Sequence, residues 1–125
     1  MIIIAILQNS INMKKYQLGE FEEVVILTVG ILHGNAYGVA IKDEIEYRLD
    51  REVSVGALQT TLRRLEAKGL LQSEHGEATK SRGGRPKLYF SITASGKKAI
   101  EYSKDTRNKL WQSLPELVLQ IDKEK

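Results

Sequence analysis

The sequence predicts a mainly α-helical fold that includes one small β-hairpin. Helical patterns occur in four segments, and capping residues or glycines mark their ends. An extended run at residues 70–75 precedes residues 88–93, in which apolar and polar side chains alternate as in a half-buried strand. The predicted order of elements is therefore three helices, a hairpin and a last helix.

Length and composition predict one compact globular domain. The chain has 125 residues, of which 42% are hydrophobic and 28% are charged. It contains no cysteine, which excludes disulfides, zinc ribbons and thiol catalysis and agrees with a cytoplasmic protein. The net charge of +3 gives a slight preference for polyanionic partners.

Residues 1–13 are assigned as an N-terminal extension without a function. The apolar run from Ile2 to Leu7 is shorter than the stretch of about 20 residues that spans a bilayer. No basic region precedes this run, which argues against a signal peptide. We expect no membrane partner.

The first helix is predicted over residues 19–34, where acidic residues open the segment and Gly34 ends it. From Val24 to Leu32 the segment is apolar on nearly every side, unlike a helix with one buried face. We therefore expect two layers of cover, one from the chain's own core and one from a second subunit. The residues assigned to that dimer contact are Val25, Val29 and Leu32.

The second helix is predicted over residues 37–50, and residues 51–53 form a short link or a minimal strand. The third helix, over residues 54–71, begins with Ser54 as N-cap and stops at Gly69. Its apolar face consists of Val55, Leu58, Leu62 and Leu65. Its outer face carries Gly56, Thr60, Arg63, Arg64 and Ala67, with Gln59 at the edge.

The hairpin has a cationic tip. In the stretch "KSRGGRPKLYFSIT" (80–93), four cations surround Gly83 and Gly84, and a strand follows in which Leu88, Phe90 and Ile92 face the core. A loop this long between two strands is often functional.

The last helix is predicted from Thr93, as cap, to about residue 113, where Pro115 breaks it before a short further helix. The residues assigned to a dimer interface or effector site are Leu110, Trp111 and Leu114. Two interpretations of Trp111 stay open: simple interface packing, or paired tryptophans that flank a slot for a planar aromatic effector.

This order of elements, with a basic third helix and a basic hairpin tip, is the layout of a winged helix-turn-helix followed by a C-terminal dimerisation helix. A helix fits the major groove of DNA, and a basic hairpin reaches flanking phosphates or the minor groove. The residues assigned to DNA binding are Tyr37, Ser54, Gly56, Gln59, Thr60, Arg63, Arg64, Lys80, Arg82, Gly83, Gly84, Arg85 and Lys87.

Several of these residues also have a purely structural interpretation. Arg63 and Arg64 can form surface ion pairs with Glu66 or Glu46, and Tyr37 can be an aromatic packed at the start of its helix. Gln59 and Thr60 can be ordinary helix surface.

The segments "VSVGALQTTLRRLEAKGLL", "RGGRPKLYFSITASGKKAI" and "LTVGILHGNAYGVAI" resemble the PadR family of bacterial transcriptional regulators over roughly residues 18–102. The resemblance implies a homodimeric winged-helix repressor that binds palindromic DNA, and in some members a small aromatic effector. Many members carry Tyr-Pro where this chain has Gln59-Thr60, and many have a larger C-terminal region. The implied division is a DNA-binding domain at 18–93 and a dimerisation helix with tail at 94–125.

No pattern indicates an enzyme, a metal site or a cofactor. His33 and His75 are far apart and lack a further ligand at metal spacing, and no nucleophile elbow or phosphate-binding glycine motif occurs. A winged-helix adaptor that binds protein instead of DNA remains the alternative. The tip disfavours it, because residues 80–87 hold four cations and no acid.

Overall fold

The computed structural model describes Lys14, residues 16–78 and residues 86–120. In this part of the chain, the predicted elements are present in the predicted order, which confirms the fold class. The helices are α1 (Glu20–Ile31), α2 (Gly38–Leu49), α3 (Val55–Ala67), α4 (Ala94–Ser113) and α5 (Glu116–Gln120), and the strands are β1 (Leu71–Ala78) and β2 (Pro86–Ile92).

Helix α1 lies at the centre of the molecule and contacts α2, α3, α4 and β2. Val25 and Val29 are buried in the chain's own core, at 0% and 2% exposure. The assignment of these two residues to a dimer contact is therefore wrong, because the chain's own core already covers the side of α1 on which both of them lie. Leu32 packs partly buried against the same core, whereas Leu27 and Ile31 are exposed.

The three glutamates in the first turn of α1 bind cations from three other parts of the chain. The acids were predicted only to favour the helix N-terminus, but each one joins α1 to a segment distant in sequence. The N···O distances are 2.8 Å for Glu20–Arg51, 2.8 Å for Glu22–Lys68 and 2.7 Å for Glu23–Arg107.

Of these acids, Glu22 is the buried one, at 6% exposure. Its Oε1 accepts a hydrogen bond from the backbone N–H of Gly19 at 2.8 Å, and Lys68 Nζ donates to its Oε2 at 2.8 Å. Burial alone would raise the pKa of Glu22. The hydrogen bonds from Lys68 and Gly19, with the charges of Lys68 and Arg64, outweigh burial and hold the pKa below its ordinary value.

Strands β1 and β2 form an antiparallel hairpin in which Leu71 pairs with Ile92 and His75 with Leu88. The strands extend further towards the tip than predicted, to Ala78 and from Pro86, across an irregularity between His75 and Ala78. This irregularity contains Gly76, where an added Cβ would lie 2.5 Å from the Tyr89 ring. The ring of Tyr89 therefore lies directly against the Gly76 backbone.

The other edge of β2 pairs with the residues before α2. Phe90 N–H donates to Ala36 O at 2.8 Å, and Tyr37 forms a bridge with Tyr89. Residues 51–53 contain no strand, which corrects the suggestion of a minimal strand there. The N–H of Val53 donates instead to Glu46 Oε2 at 2.8 Å, so this amide is unavailable to a sheet.

Thr93 fixes the start of α4 through two hydrogen bonds. Its Oγ1 accepts from Gly96 N–H at 3.0 Å, as predicted for an N-cap, and donates to Gly69 O at 2.6 Å. The predicted break at Pro115 is confirmed, because α4 ends at Ser113 and α5 starts at Glu116.

Candidate nucleic-acid interface

Helix α3 buries one face and exposes the other. Ser54 caps it, since its hydroxyl accepts from Ala57 N–H at 3.0 Å. Leu58, Leu62 and Leu65 are buried as predicted. Val55, expected in the same stripe, is instead 60% exposed, because the core reaches the first turn of α3 at Leu58 but does not cover the first residue of the helix. The exposed outer face carries Gly56, Thr60, Arg63 and Arg64, with Gln59 partly buried at its edge.

The arginines of α3 make no ion pair within the described part of the chain. The acids proposed as their partners are engaged elsewhere: Glu66 accepts from Ser73 Oγ at 2.5 Å, and Glu46 from Lys42 Nζ at 3.1 Å. Two hydrogen bonds lower the pKa of the Glu46 carboxylate: the one from Val53 N–H has the larger effect, and the one from Lys42 has the smaller. Arg63 and Arg64 are thus exposed cations available to an external anion.

A cleft of about 350 Å³ separates the start of α3 from the hairpin. The starts of α2, α3 and β2 form its walls, and the charged side chains among its lining residues are two lysines. The cleft is lined by Tyr37, Gly38, Val39, Lys42, Val55, Leu58, Gln59, Pro86, Lys87, Leu88 and Phe90.

Tyr37 connects α2 to the hairpin at one wall of this cleft. It is the N-cap residue of α2, with extended backbone, and its ring meets Tyr89 edge-on at 5.6 Å between centroids. Lys87 Nζ lies 4.0 Å from the centroid of the Tyr37 ring. Tyr89 thus packs between Tyr37 and Gly76.

The sequence-predicted DNA-binding residues fall into three groups, of which the first, Ser54, Gly56, Thr60, Arg63 and Arg64, caps α3 or lies on its exposed face. The structure brings Tyr37, Gln59 and Lys87 together at the cleft, next to the exposed face of α3. The remaining hairpin residues, Lys80, Arg82, Gly83, Gly84 and Arg85, lie outside the described residues. Sequence reasoning did not include Val39, Lys42, Val55 and Leu88, which also line the cleft. Helical spacing alone could not separate Val55 from the buried stripe.

A second surface, which we call the C-terminal apolar surface, is formed by exposed residues of α4 and α5. Leu110 and Trp111 are 68% and 63% exposed, and Leu114 is exposed beside them. Trp111 also lines a shallow groove of about 340 Å³ between α1 and α4, together with Leu27 and Ile100. The remaining members of the surface are Leu117, Val118 and Leu119.

Within residues 14, 16–78 and 86–120, no cluster of three or more histidines, cysteines or carboxylates could hold a metal ion. None of the helices in the same part of the chain has both the length and the apolar content needed to cross a membrane.

The fold matches solved structures over most of their lengths. A PadR-like transcription factor from Bacteroides fragilis aligns with a TM-score of 0.64 at 25% identity, covering 85% of this chain and 94% of that one. A PadR family regulator from Clostridium difficile R20291 aligns with a TM-score of 0.60 at 27% identity, covering 76% and 97%. A winged-helix DNA-binding protein from STIV shares the fold, with a TM-score of 0.56 at 22% identity, covering 75% and 95%.

No curated protein matches the sequence. Residues 26–102 match the profile of the Transcriptional regulator PadR-like family. This match covers the second half of α1, all of α2 and of the capped, cationic α3, and both strands of the hairpin. The chain therefore belongs to the PadR-like family of transcriptional regulators.

Proposed function

We propose that this protein is a sequence-specific DNA-binding repressor that binds a near-palindromic operator as a homodimer. The observation that carries the proposal is the outer face of α3, where Arg63 and Arg64 are exposed and form no ion pair with the described residues. The neighbouring cleft has lysines as its charged lining residues. A regulator of this kind acts where the bacterial chromosome lies, so we assign it to the cytoplasm.

Helix α3 has the position and the side chains for the major groove. The amide of Gln59, at the edge of its exposed face, suits adenine, and the guanidinium of Arg63 suits guanine. The hydroxyl of Thr60 can hydrogen-bond to either of these bases. Gly56, at the start of the same exposed face, has no heavy atom within 4 Å of an added Cβ, so the backbone there is open to close approach by DNA.

The cleft suits the phosphate backbone beside that groove. Tyr37 lies at the N-terminus of α2, where helix amide groups favour an anion, and Lys87 stands over its ring. Both belong to elements flanking α3, as expected for contacts that position the protein on the duplex. The cations predicted at the hairpin tip would continue this contact to the flanking phosphates.

The homodimer is supported by the C-terminal apolar surface, which the described chain leaves uncovered. Leu27 and Ile31 of α1 are exposed apolar residues that a second subunit could also cover. We therefore keep residues 94–125 as the dimerisation segment and residues 18–93 as the DNA-binding domain. Two-fold symmetry places operator half-sites about 10 base pairs apart or a multiple of that spacing.

The groove beside Trp111 is also where we place a small aromatic effector. Planar aromatic compounds should quench the emission of this single tryptophan saturably. Trp111→Ala has no tryptophan emission, so isothermal titration calorimetry should show that this variant no longer binds the compounds. If no compound disturbs the emission, Trp111 serves packing alone and the effector is rejected.

Selection of DNA fragments from the source genome tests the function directly. We expect enrichment of a near-palindromic sequence, bound by the purified protein with an affinity that falls steeply as salt rises. Binding to random duplex should show the same salt dependence at lower affinity. No enrichment and a flat response to salt would favour the protein-binding adaptor instead.

A further inference from the structure

Val55 lies at the N-terminal end of α3, and its apolar side chain is not packed in the core. It is the first residue of the helix, and its side chain is 60% exposed. Its side chain lines the cleft together with Gln59, which lies four residues further along and therefore on the same side of the helix. A lone exposed valine needs no explanation, but this one lies directly beside a polar side chain suited to reading bases.

Gln59 is turned into the same cleft. An added Cβ at Gly38, the first residue of α2, would lie 3.4 Å from Gln59 Nε2, so the amide of Gln59 stands next to the start of α2. The pair therefore presents an isopropyl group and a carboxamide from successive turns of one helix, at the end nearest the cleft.

An A·T base pair presents the complementary pair of groups in the major groove. Adenine offers the N7 acceptor and the N6 donor, which a glutamine amide binds in bidentate fashion, and thymine offers its C5-methyl group to apolar contact. In helix-turn-helix proteins the N-terminal residues of the reading helix contact base edges. Val55 and Gln59 occupy this end of α3.

Building on the proposed function, we propose that Val55 determines specificity by contacting the C5-methyl group of a thymine in each operator half-site, next to an adenine bound by Gln59. Three other exposed apolar side chains line the cleft, but Val39 belongs to α2, and Pro86 and Leu88 belong to β2. These flanking elements face the DNA backbone in the proposed arrangement, so their apolar groups carry no base discrimination.

The chain supplies a closely matched control. Val39 is 59% exposed, against 60% for Val55, and lines the same cleft. Val39→Ala and Val55→Ala remove the same atoms from side chains of equal exposure, and neither change opens a cavity in the core. Circular dichroism should show both variants folded like the parent protein.

The test removes the thymine methyl group alone. Duplexes are first selected from a random-sequence library with the full chain, and each thymine of a selected duplex is then replaced singly by uracil. A single uracil, at one particular thymine position of either half-site, should weaken binding by the parent protein about four-fold, or about 0.8 kcal/mol for one buried methyl group. Val55→Ala should bind the thymine and uracil duplexes equally, whereas Val39→Ala should keep the four-fold difference.

Two results would overturn the inference, and they differ in what they imply for the proposed function. If selection succeeds but uracil weakens the parent protein and Val55→Ala equally, or weakens neither, Val55 does not read thymine and the regulator remains sequence-specific. If selection enriches no sequence, the proposed function fails and the inference fails with it.

Discussion

Gly96 is a buried residue in the first turn of α4, where the backbone lies close to the residue before β1. An added Cβ there would lie 2.1 Å from the carbonyl oxygen of Leu70, which is backbone and cannot turn aside. We expect Gly96→Ala to lower the free energy of unfolding by about 1–3 kcal/mol, because α4 must shift away from the start of β1. Urea denaturation followed by circular dichroism measures the change.

Gly56→Ala is the matched control, because a Cβ there meets nothing within 4 Å and the residue lies in a helix. Alanine should be neutral or stabilise the protein by up to about 1 kcal/mol through its higher helix propensity. Equal effects of the two substitutions would contradict the role assigned to Gly96.

The buried pair Glu22–Lys68 makes stability depend on pH. The folded-state pKa of Glu22 is lowered, so its contribution to stability is present above the unfolded-state pKa and is lost as pH falls through the folded-state pKa. We expect Lys68→Ala to cost about 3 kcal/mol near neutral pH, because it leaves a buried carboxylate without its cation. The cost should shrink in acid, where Glu22 becomes protonated.

The control for this pair is Lys97→Ala, which breaks an exposed contact of 4.0 Å with Glu101. Exposed pairs of this kind contribute at most about 0.5 kcal/mol within a helix. Denaturation midpoints measured between neutral and acid pH should therefore separate the two variants. A cost for Lys68→Ala that stays constant with pH would contradict the charge-based explanation.

Among the elements, α3 and the hairpin should contribute differently to DNA binding. Gln59→Ala or Arg63→Ala should each reduce the difference in binding free energy between operator DNA and random DNA by about 1–3 kcal/mol. Lys87→Ala, Arg82→Ala or Arg85→Ala should weaken both kinds of DNA alike and reduce the salt slope by about one. Fluorescence anisotropy over a series of salt concentrations measures both quantities.

Lys98→Ala controls for the loss of charge alone, because Lys98 is exposed on α4 and does not line the cleft. This variant should leave the ratio of the affinities for operator DNA and random DNA unchanged. Unchanged affinity of the hairpin variants for random DNA would show that the hairpin cations do not contact phosphate.

Local sequence signals predicted the elements well, because each helix end depends on a few neighbouring residues. Ser54 and Thr93 cap their helices, and Gly34 and Gly69 adopt the positive φ values that suit their role as helix stops. Exposure was harder to predict, since it depends on which elements meet in space. Periodicity placed Val55 in a buried stripe with Leu58, although the core covers Leu58 and leaves Val55 more than half exposed.

Long-range pairing was also beyond the sequence signals. Three acids of α1 favour a helix N-terminus locally, but nothing in the sequence matches Glu22 with Lys68 or Glu23 with Arg107. The sequence also could not show which residues pack around α1. An apolar helix needs two layers around it, and the sequence could not show that the chain itself buries Val25 and Val29. The apolar residues of α1 that remain exposed are Leu27 and Ile31 instead.

At the scale of the whole molecule, the C-terminal apolar surface should hold two chains together. Leu110 and Trp111 lie next to each other on α4, both more than half exposed, and the exposed Leu114, Leu117, Val118 and Leu119 follow them along the chain. We expect a solution mass of twice 14.1 kDa at micromolar concentration. Trp111→Ala and Leu110→Glu should shift it towards the monomer, because one removes the largest contact and the other places a charge within it.

Tyr47→Ala provides the comparison, since Tyr47 is an aromatic residue that is 85% exposed on α2, away from this surface. That variant should remain dimeric by analytical ultracentrifugation. The monomeric variants should stay folded, because neither residue belongs to the core. The parent protein should bind an operator with two half-sites more tightly than one with a single half-site, and the monomeric variants should bind both equally. A parent protein that stays monomeric at millimolar concentration would contradict the dimer, and with it the need for a palindromic operator.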